Sequence, residues 1–261
     1  MPTLLKGNYD LLVTGGCTLS CKGCSYLDYL DLGNTICSFV RAEDLEYILN
    51  KLLDLDVILE SLTLLGGEPT LHPELDKLAK VGSSYKNKSL QNLYLHTNGT
   101  FFNDKFANSI EFFDKITISS YPSTRQLIAE IEKTDFFKKY YKKFYHKKIS
   151  TFLNYGIKRD DLEYNEFLNF TRCKSKEKCR VITVDGIYRC FVSYNNRKDI
   201  CDFKSKEKLI KYINNDYIPL QSCNNCPWPP KEVKWESNNE EKDAKRIKQG
   251  LKYIKELDSY A

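Results

Sequence analysis

The chain has 261 residues, 41% of them hydrophobic, and its 40 basic against 35 acidic side chains leave a net charge of +5. That length supports one sizeable core, or a core domain with a smaller companion, and so mild a charge excess gives no argument for nucleic-acid binding. No apolar run reaches the roughly 18 residues of a membrane span and the N-terminus lacks a signal-peptide pattern, so the expectation is a soluble, cytoplasmic protein with no membrane partner.

In chain order, the first apolar run is Tyr9–Thr14, and it ends directly before "GGCTLSCKGC", where Cys17, Cys21 and Cys24 fall within eight residues. Leu45, Ile48, Leu49 and Leu52 then share one helical face. A second strand is predicted over Ser61–Leu65, followed by Gly66, Gly67, Glu68 and Pro69. Leu75, Leu78 and Ala79 mark the next helix, with Pro73 suited to its first turn. Strands over Leu93–His96 and Lys115–Ser119 follow, with helices over Lys105–Phe113 and Thr124–Ile131, and a less distinct strand over Ile149–Leu153. In "FFKKYYKKFYHKKI", Phe137, Tyr141 and Phe144 suit one face of an amphipathic helix with lysines at its sides. The competing reading, bases stacked on aromatics with phosphates on lysines, has the weaker support.

Strand and helix in alternation read as parallel βα units whose functional loops lie at the C-terminal ends of the strands. With roughly 5 to 6 units the expected fold is α/β, a partial (β/α)6-type barrel short of the eight units of a closed one. The three early cysteines, the glycine pair, Asn98–Gly99 and Ser119–Ser120 would then meet on one rim.

After Arg172 the pattern changes. "RVITVDGIYRCFV" holds two β-rich runs around Asp185–Gly186, a hairpin signal. A short helix over "KEKLIKYINN", the pair Cys223 and Cys226 in "CNNCPWPP", and a tail helix with Ala244, Ile247, Leu251, Ile254 and Leu257 as its stripe complete the chain.

Ten cysteines in a reducing compartment point to metal binding or redox chemistry more than to a disulfide framework. Three thiolates would leave one iron of a [4Fe–4S] cluster open, whereas a zinc ion would need a fourth ligand such as His72 or His96. This stretch resembles the radical SAM superfamily, whose mark is CxxxCxxC after the first strand of a partial barrel, here Cys17–Cys21–Cys24. The resemblance continues in Gly66–Gly67–Glu68–Pro69, similar to the family's GGEP segment, in Thr97–Asn98–Gly99, and in Ser119 at a strand end, and it spans about residues 9 to 125. It implies a [4Fe–4S] cluster on the three thiolates, with S-adenosylmethionine chelated to the open iron and held by Gly66, Gly67, Glu68, Asn98 and Ser119. Reductive cleavage then yields a 5′-deoxyadenosyl radical that abstracts hydrogen from the substrate, the electron coming from a donor such as flavodoxin or ferredoxin. Gly23 departs from the bulky residue usual before the third cysteine, a place that Tyr26 or another side chain would fill.

The later cysteines resemble the twitch subdomain, the short relative of the SPASM extension: Cys173, Cys190, Cys223 and Cys226 would hold an auxiliary [4Fe–4S] cluster, with Cys179 as an alternative to Cys173 and Cys201 also in reach. A structural zinc site is the competing account. The organisation expected is a barrel over residues 1–170, the auxiliary cluster domain over 171–236 and a C-terminal helix over 237–261. The function implied is oxidation of a small polar molecule of sugar or aminocyclitol type, the auxiliary cluster accepting the second electron. Alternatives are a maturase acting on a peptide side chain and, from another class, a non-catalytic metal-bound interaction or nucleic-acid protein. His72, His96 and His146 read as loop, strand-end and surface residues, Cys37 as a buried thiol, and Trp228 and Trp235 as packing the second domain on the barrel.

Overall fold

The computed structural model describes residues 1–24, 39–154, 159–173, 179–195, 199–214 and 219–260, so Tyr26 and Cys37 lie outside the described residues. Its first strand, β1 (Thr3–Thr14), buries Leu5, Tyr9, Leu11 and Val13 on one side, the alternation expected of a half-covered strand. The helix α1 (Ala42–Asp54) then places Leu45, Ile48, Leu49 and Leu52 fully inside. Its start is fixed by Asp44, which accepts from the Arg41 backbone at 3.0 Å. The strand β2 (Val57–Gly66) is buried along most of its length, as suits a central parallel strand.

The unit repeats with α2 (Leu75–Ser84), β3 (Leu90–Thr97), α3 (Asp104–Ser109), β4 (Lys115–Ser120), α4 (Arg125–Ile131), α5 (Asp135–Tyr140) and β5 (Phe144–Lys148). Next come β6 (Thr151–Asn154), α6 (Glu166–Arg172), β7 (Cys179–Thr183), β8 (Gly186–Tyr188), α7 (Phe191–Asn195), β9 (Ile200–Cys201), α8 (Lys206–Asn214), β10 (Lys231–Lys234) and α9 (Glu240–Leu257). β1 to β5 pair in sequence and in parallel, within one eight-stranded sheet ordered β5-β4-β3-β2-β1-β7-β8-β9. This is the expected α/β arrangement with a mostly parallel sheet, and it is not closed.

Three elements differ from the expectation. The amphipathic helix expected across residues 137 to 144 stops at Tyr140; a 3-10 turn over Tyr141–Lys143 reverses the chain into β5, which pairs with β4. The aromatics that share a helical face also stack across that turn, Phe137 on Phe144 with ring centres 4.5 Å apart, so their spacing did not separate the two folds. The strand expected near Ile149–Leu153 is β6, which leaves the barrel sheet and pairs antiparallel with β10. The expected hairpin is present, with its turn over Val184–Asp185 and Gly186 opening β8 opposite Thr183, and it joins the barrel sheet because β7 pairs in parallel with Asn8–Asp10 of β1.

On α9, Leu257 is buried and Ile247 and Ile254 pack partly against the core, while Leu251 is 39% exposed. Asp243, and not Ala244, turns inward at the first turn of this helix. Among the described residues no helix is long and apolar enough to cross a membrane.

Candidate active site

The glycine pair is demanded by backbone contact. The Gly67 N–H donates to the Thr14 carbonyl at 2.8 Å and the Glu68 N–H to the Gly16 carbonyl at 2.7 Å, so the loops after β1 and β2 lie backbone to backbone. A Cβ on Gly67 would stand 2.1 Å from the Gly16 oxygen, and one on Gly66 would stand 2.3 Å from the Thr14 oxygen. No side chain fits there.

Glu68 then ties this loop to the next. It is fully buried and accepts from the Thr70 N–H at 3.1 Å, the Thr70 hydroxyl at 2.6 Å, the Thr97 hydroxyl at 2.5 Å and the Asn98 N–H at 2.7 Å. Burial raises its pKa, opposed by these donors. The carboxylate is thus turned into the rim, and among the residues facing the cleft are Gly66 and Gly67 in front of it. Asn98 continues the chain of contacts: its amide donates to the Thr18 hydroxyl at 2.9 Å and lies 3.6 Å from the Cys17 sulfur. Its carbonyl accepts from the Thr100 N–H at 3.0 Å.

These residues surround an open cleft of about 1030 Å³ at the C-terminal ends of β1 to β4. Cys17, Cys21 and Cys24 line one side, with Gly66, Gly67, Asn98 and Ser119 round the rim. The structure thus brings together the early cysteines and the expected rim residues apart from the inward-turned Glu68. Burial pushes the Cys17 thiol well above its usual range, with the Glu68 carboxylate adding to the effect, and pushes Cys21 up to about 12, partly offset by the Trp235 N–H. Such thiols stay protonated unless a positive centre draws off the proton, and that is what a metal site of Cys ligands does.

The rest of the cleft holds groups that single-residue reading did not find. Tyr121 lines it and stacks on Phe152 and Trp235, both with ring centres 5.7 Å away. Trp235 belongs to a segment that braces the cysteine loop: Cys21 bridges Ser237, and the Lys22 N–H donates to the Glu236 carbonyl at 2.9 Å. Only an aromatic at the end of a strand, and a tryptophan near the second cysteine set, signalled these in the sequence. His96 bonds the Ser119 hydroxyl at 2.7 Å, and burial holds its pKa down at about 4, with Lys147 and Lys115 adding to it. His72 is a structural loop residue: it is buried, with Nε2 on the Val40 carbonyl at 2.9 Å and Nδ1 accepting from Glu74 N–H at 3.0 Å. His146 pairs with Glu132 at 2.8 Å on β5.

A second, smaller cavity is lined by Cys173, Cys190, Cys223 and Cys226 with Asn169 and Arg189. Asn169, from α6, donates to the carbonyls of Cys223 and Cys226 at 2.8 and 2.7 Å, which fixes the "CNNC" turn. Trp228 donates to the Arg172 carbonyl at 2.7 Å and so holds the other end of that turn to α6. Burial raises the Cys190 and Cys226 thiols to about 12. Cys201 stands apart from this lining and directs its sulfur at the Asp202 carbonyl. Among the described residues no three His, Cys, Asp or Glu side chains close round a single metal ion.

Residues 11–121 match the family model of the Radical SAM superfamily. A search of curated proteins finds no match. Among solved structures the chain resembles BtrN in complex with AdoMet and 2-DOIA, at 17% identity and a TM-score of 0.55 over 83% of this chain and 85% of that one. It also resembles native anSMEcpe with bound AdoMet, at 17% identity and a TM-score of 0.54 over 97% and 96%. The same enzyme with bound AdoMet and Cp18Cys peptide gives a TM-score of 0.52 at 17% identity over 98% and 96%. The cysteine loop and the paired glycines described above both lie within residues 11–121, the part of the chain that matches the Radical SAM superfamily.

Proposed function

We propose that this enzyme is a radical SAM oxidoreductase in which Cys17, Cys21 and Cys24 hold a [4Fe–4S] cluster with one open iron. In this reading Gly66, Gly67, Asn98 and Ser119 receive S-adenosylmethionine, and Cys173, Cys190, Cys223 and Cys226 hold an auxiliary [4Fe–4S] cluster. The observation that carries it is the separation of seven thiols into two linings, one open beside the glycine pair and one of four thiols round its own cavity. Four thiols spread round a cavity suit a cuboidal cluster better than a zinc ion, which draws its sulfurs to about 2.3 Å. When bound, the clusters and S-adenosylmethionine supply a 5′-deoxyadenosyl radical and an electron acceptor.

The chain's own residues prepare that chemistry. Glu68 acts as a positioning residue, since its carboxylate locks the loops after β2 and β3 together. Asn98 places an amide beside the Cys17 sulfur. Tyr121 and Trp235 screen Cys21 from water. The barrel corresponds to residues 1–170, the auxiliary domain to 171–236 and the C-terminal helix to 237–261, in a cytoplasmic protein served by a flavodoxin or ferredoxin.

A small polar substrate of sugar or aminocyclitol type is the first reading, supported by neutral His96, Lys147 and Thr151, which line the cleft and offer hydrogen bonds. Likeness in fold to the complex of BtrN with AdoMet and 2-DOIA agrees with this. A peptide side chain is the second reading, favoured by a fold likeness to the anSMEcpe–peptide complex that covers 98% of this chain. The test is 5′-deoxyadenosine formation by reconstituted, dithionite-reduced protein. The wild type is expected to form it and Cys24→Ala to form none; retained formation in that variant would remove Cys24 from the site.

A further inference from the structure

β5 runs up to the cleft, where Lys147 forms part of the lining, and it is the last strand of its sheet on that side, with no described strand beyond it. Just past its end the Ile149 N–H donates to the Ser120 carbonyl at 2.9 Å. Backbone groups alternate in direction along a strand, so those of Tyr145 and Lys147 also face β4, while those of His146 and Lys148 face the open edge. That edge offers main-chain donors and acceptors in strand register.

The charge around it has one sign. Residues 136–159 contain no acidic side chain, and six lysines fall between positions 138 and 148. Lys138 pairs with Asp135 at 2.7 Å and His146 with Glu132 at 2.8 Å. Lys115, Lys139, Lys142, Lys147 and Lys148 are exposed and enter none of the ion pairs formed among the described residues. Lys115 and Lys147 both act on His96, so their charge extends to the cleft. A lysine-rich edge repels a second copy of itself, and a strand rich in carboxylates is what it attracts. Single-stranded nucleic acid fits less well, since bases stack on open ring faces. Tyr145, 53% exposed, carries Lys115 over its ring at 4.4 Å, and Tyr141, 58% exposed, carries Lys142 at 5.9 Å.

We propose that β5 is the docking edge for an acidic polypeptide segment, which adds as a strand along His146 and Lys148 and sets its carboxylates against the surrounding lysines. Strand addition supplies affinity through main-chain hydrogen bonds, and charge selects the partner. Because β5 ends at the cleft, a segment held along it brings one of its own side chains to the lining at Lys147. Such docking rests on the peptide-side-chain reading of the cleft, to which it adds the charge and the conformation of the peptide.

The probe is a capped peptide of five Glu-Thr repeats, titrated by calorimetry into the anaerobically reconstituted protein at fixed ionic strength. Saturable binding is expected, roughly tenfold tighter than that of five Gln-Thr repeats and weaker as salt is raised. N-methylation of the four central residues removes main-chain donors and keeps the charge, and is expected to weaken the peptide roughly tenfold. The double substitution Lys142→Glu with Lys148→Glu, outside the cleft lining, is expected to weaken it by a similar factor and to leave 5′-deoxyadenosine formation without peptide unchanged. Equal binding of the Glu and Gln peptides to the wild type would overturn the proposal whether or not the variant folds. Equal binding of the methylated peptide would overturn it as well, and tighter binding of oligouridylate would replace it with a nucleic-acid surface. Peptide binding by protein that forms no 5′-deoxyadenosine would uphold the docking edge and remove the radical chemistry. The reverse, 5′-deoxyadenosine formation with no peptide binding, would remove the docking edge alone.

Discussion

Gly67 shows how much of the site rests on single backbone contacts. Alanine there drives a methyl group to 2.1 Å from the Gly16 oxygen, and relieving that contact requires the two rim loops to part. Gly67→Ala is expected to cost about 1–3 kcal/mol, the usual range for overpacking, seen as a fall in thermal midpoint of roughly 2–4 °C per kcal/mol, together with loss of S-adenosylmethionine binding. An unchanged midpoint with full binding would show that the loops tolerate separation. His96 makes a prediction about pH. Its pKa is about 4 in the fold against 6.5 outside it, so below 6.5 the unfolded chain takes up a proton that the folded chain refuses. Its contribution is therefore whole above pH 6.5 and is lost as pH falls toward 4, a change of about 3 kcal/mol at 1.36 kcal/mol per pKa unit. Chemical denaturation from pH 7 to 4 is expected to show a shallower acid loss in His96→Gln than in the wild type; parallel curves would mean that His96 titrates normally. The sequence displayed the residue types of this rim, since cysteine spacing and paired glycines are local patterns. The inward turn of Glu68 was not legible, because its four donors come from residues up to 30 positions away.

Among elements, the segment from Thr134 to Lys148 is the instructive case. Alternating aromatics and lysines satisfy both a helical face and a strand at the edge of a sheet, where lysines also discourage further pairing. What selects the outcome is local capping followed by tertiary pairing. The Thr134 hydroxyl accepts from the Phe137 N–H at 3.2 Å and starts α5, and β4 offers a free edge to the chain after the 3-10 turn. Thr134→Ala is expected to lose about 1 kcal/mol, the usual worth of such a cap, as a lower urea midpoint with an unchanged slope. No change in midpoint would place the start of α5 under tertiary control alone. β1 to β4 were readable because buried parallel strands are short continuous apolar runs. β6 was legible as a strand but not in its pairing, for its partner β10 lies some 80 residues on.

At the scale of the whole molecule, the open sheet serves two thiol sites at once. Parallel pairing of β1 to β5 collects the loops at one rim, while β7 attaches the hairpin to the opposite side of β1 and carries the second cysteine set with it. The spacing of motifs foretold the mostly parallel sheet. It could not show that the segment after β10 returns to brace the first cysteine loop, since that contact joins Cys21 to Ser237 across nearly the whole chain. In the proposed function, seven of the thiols hold two iron–sulfur clusters. The most direct measurement is iron, acid-labile sulfide and zinc per chain after anaerobic reconstitution. About eight irons and eight sulfides are expected, two [4Fe–4S] clusters, with negligible zinc. About four irons with one zinc would contradict it and make the later cysteines a structural zinc site.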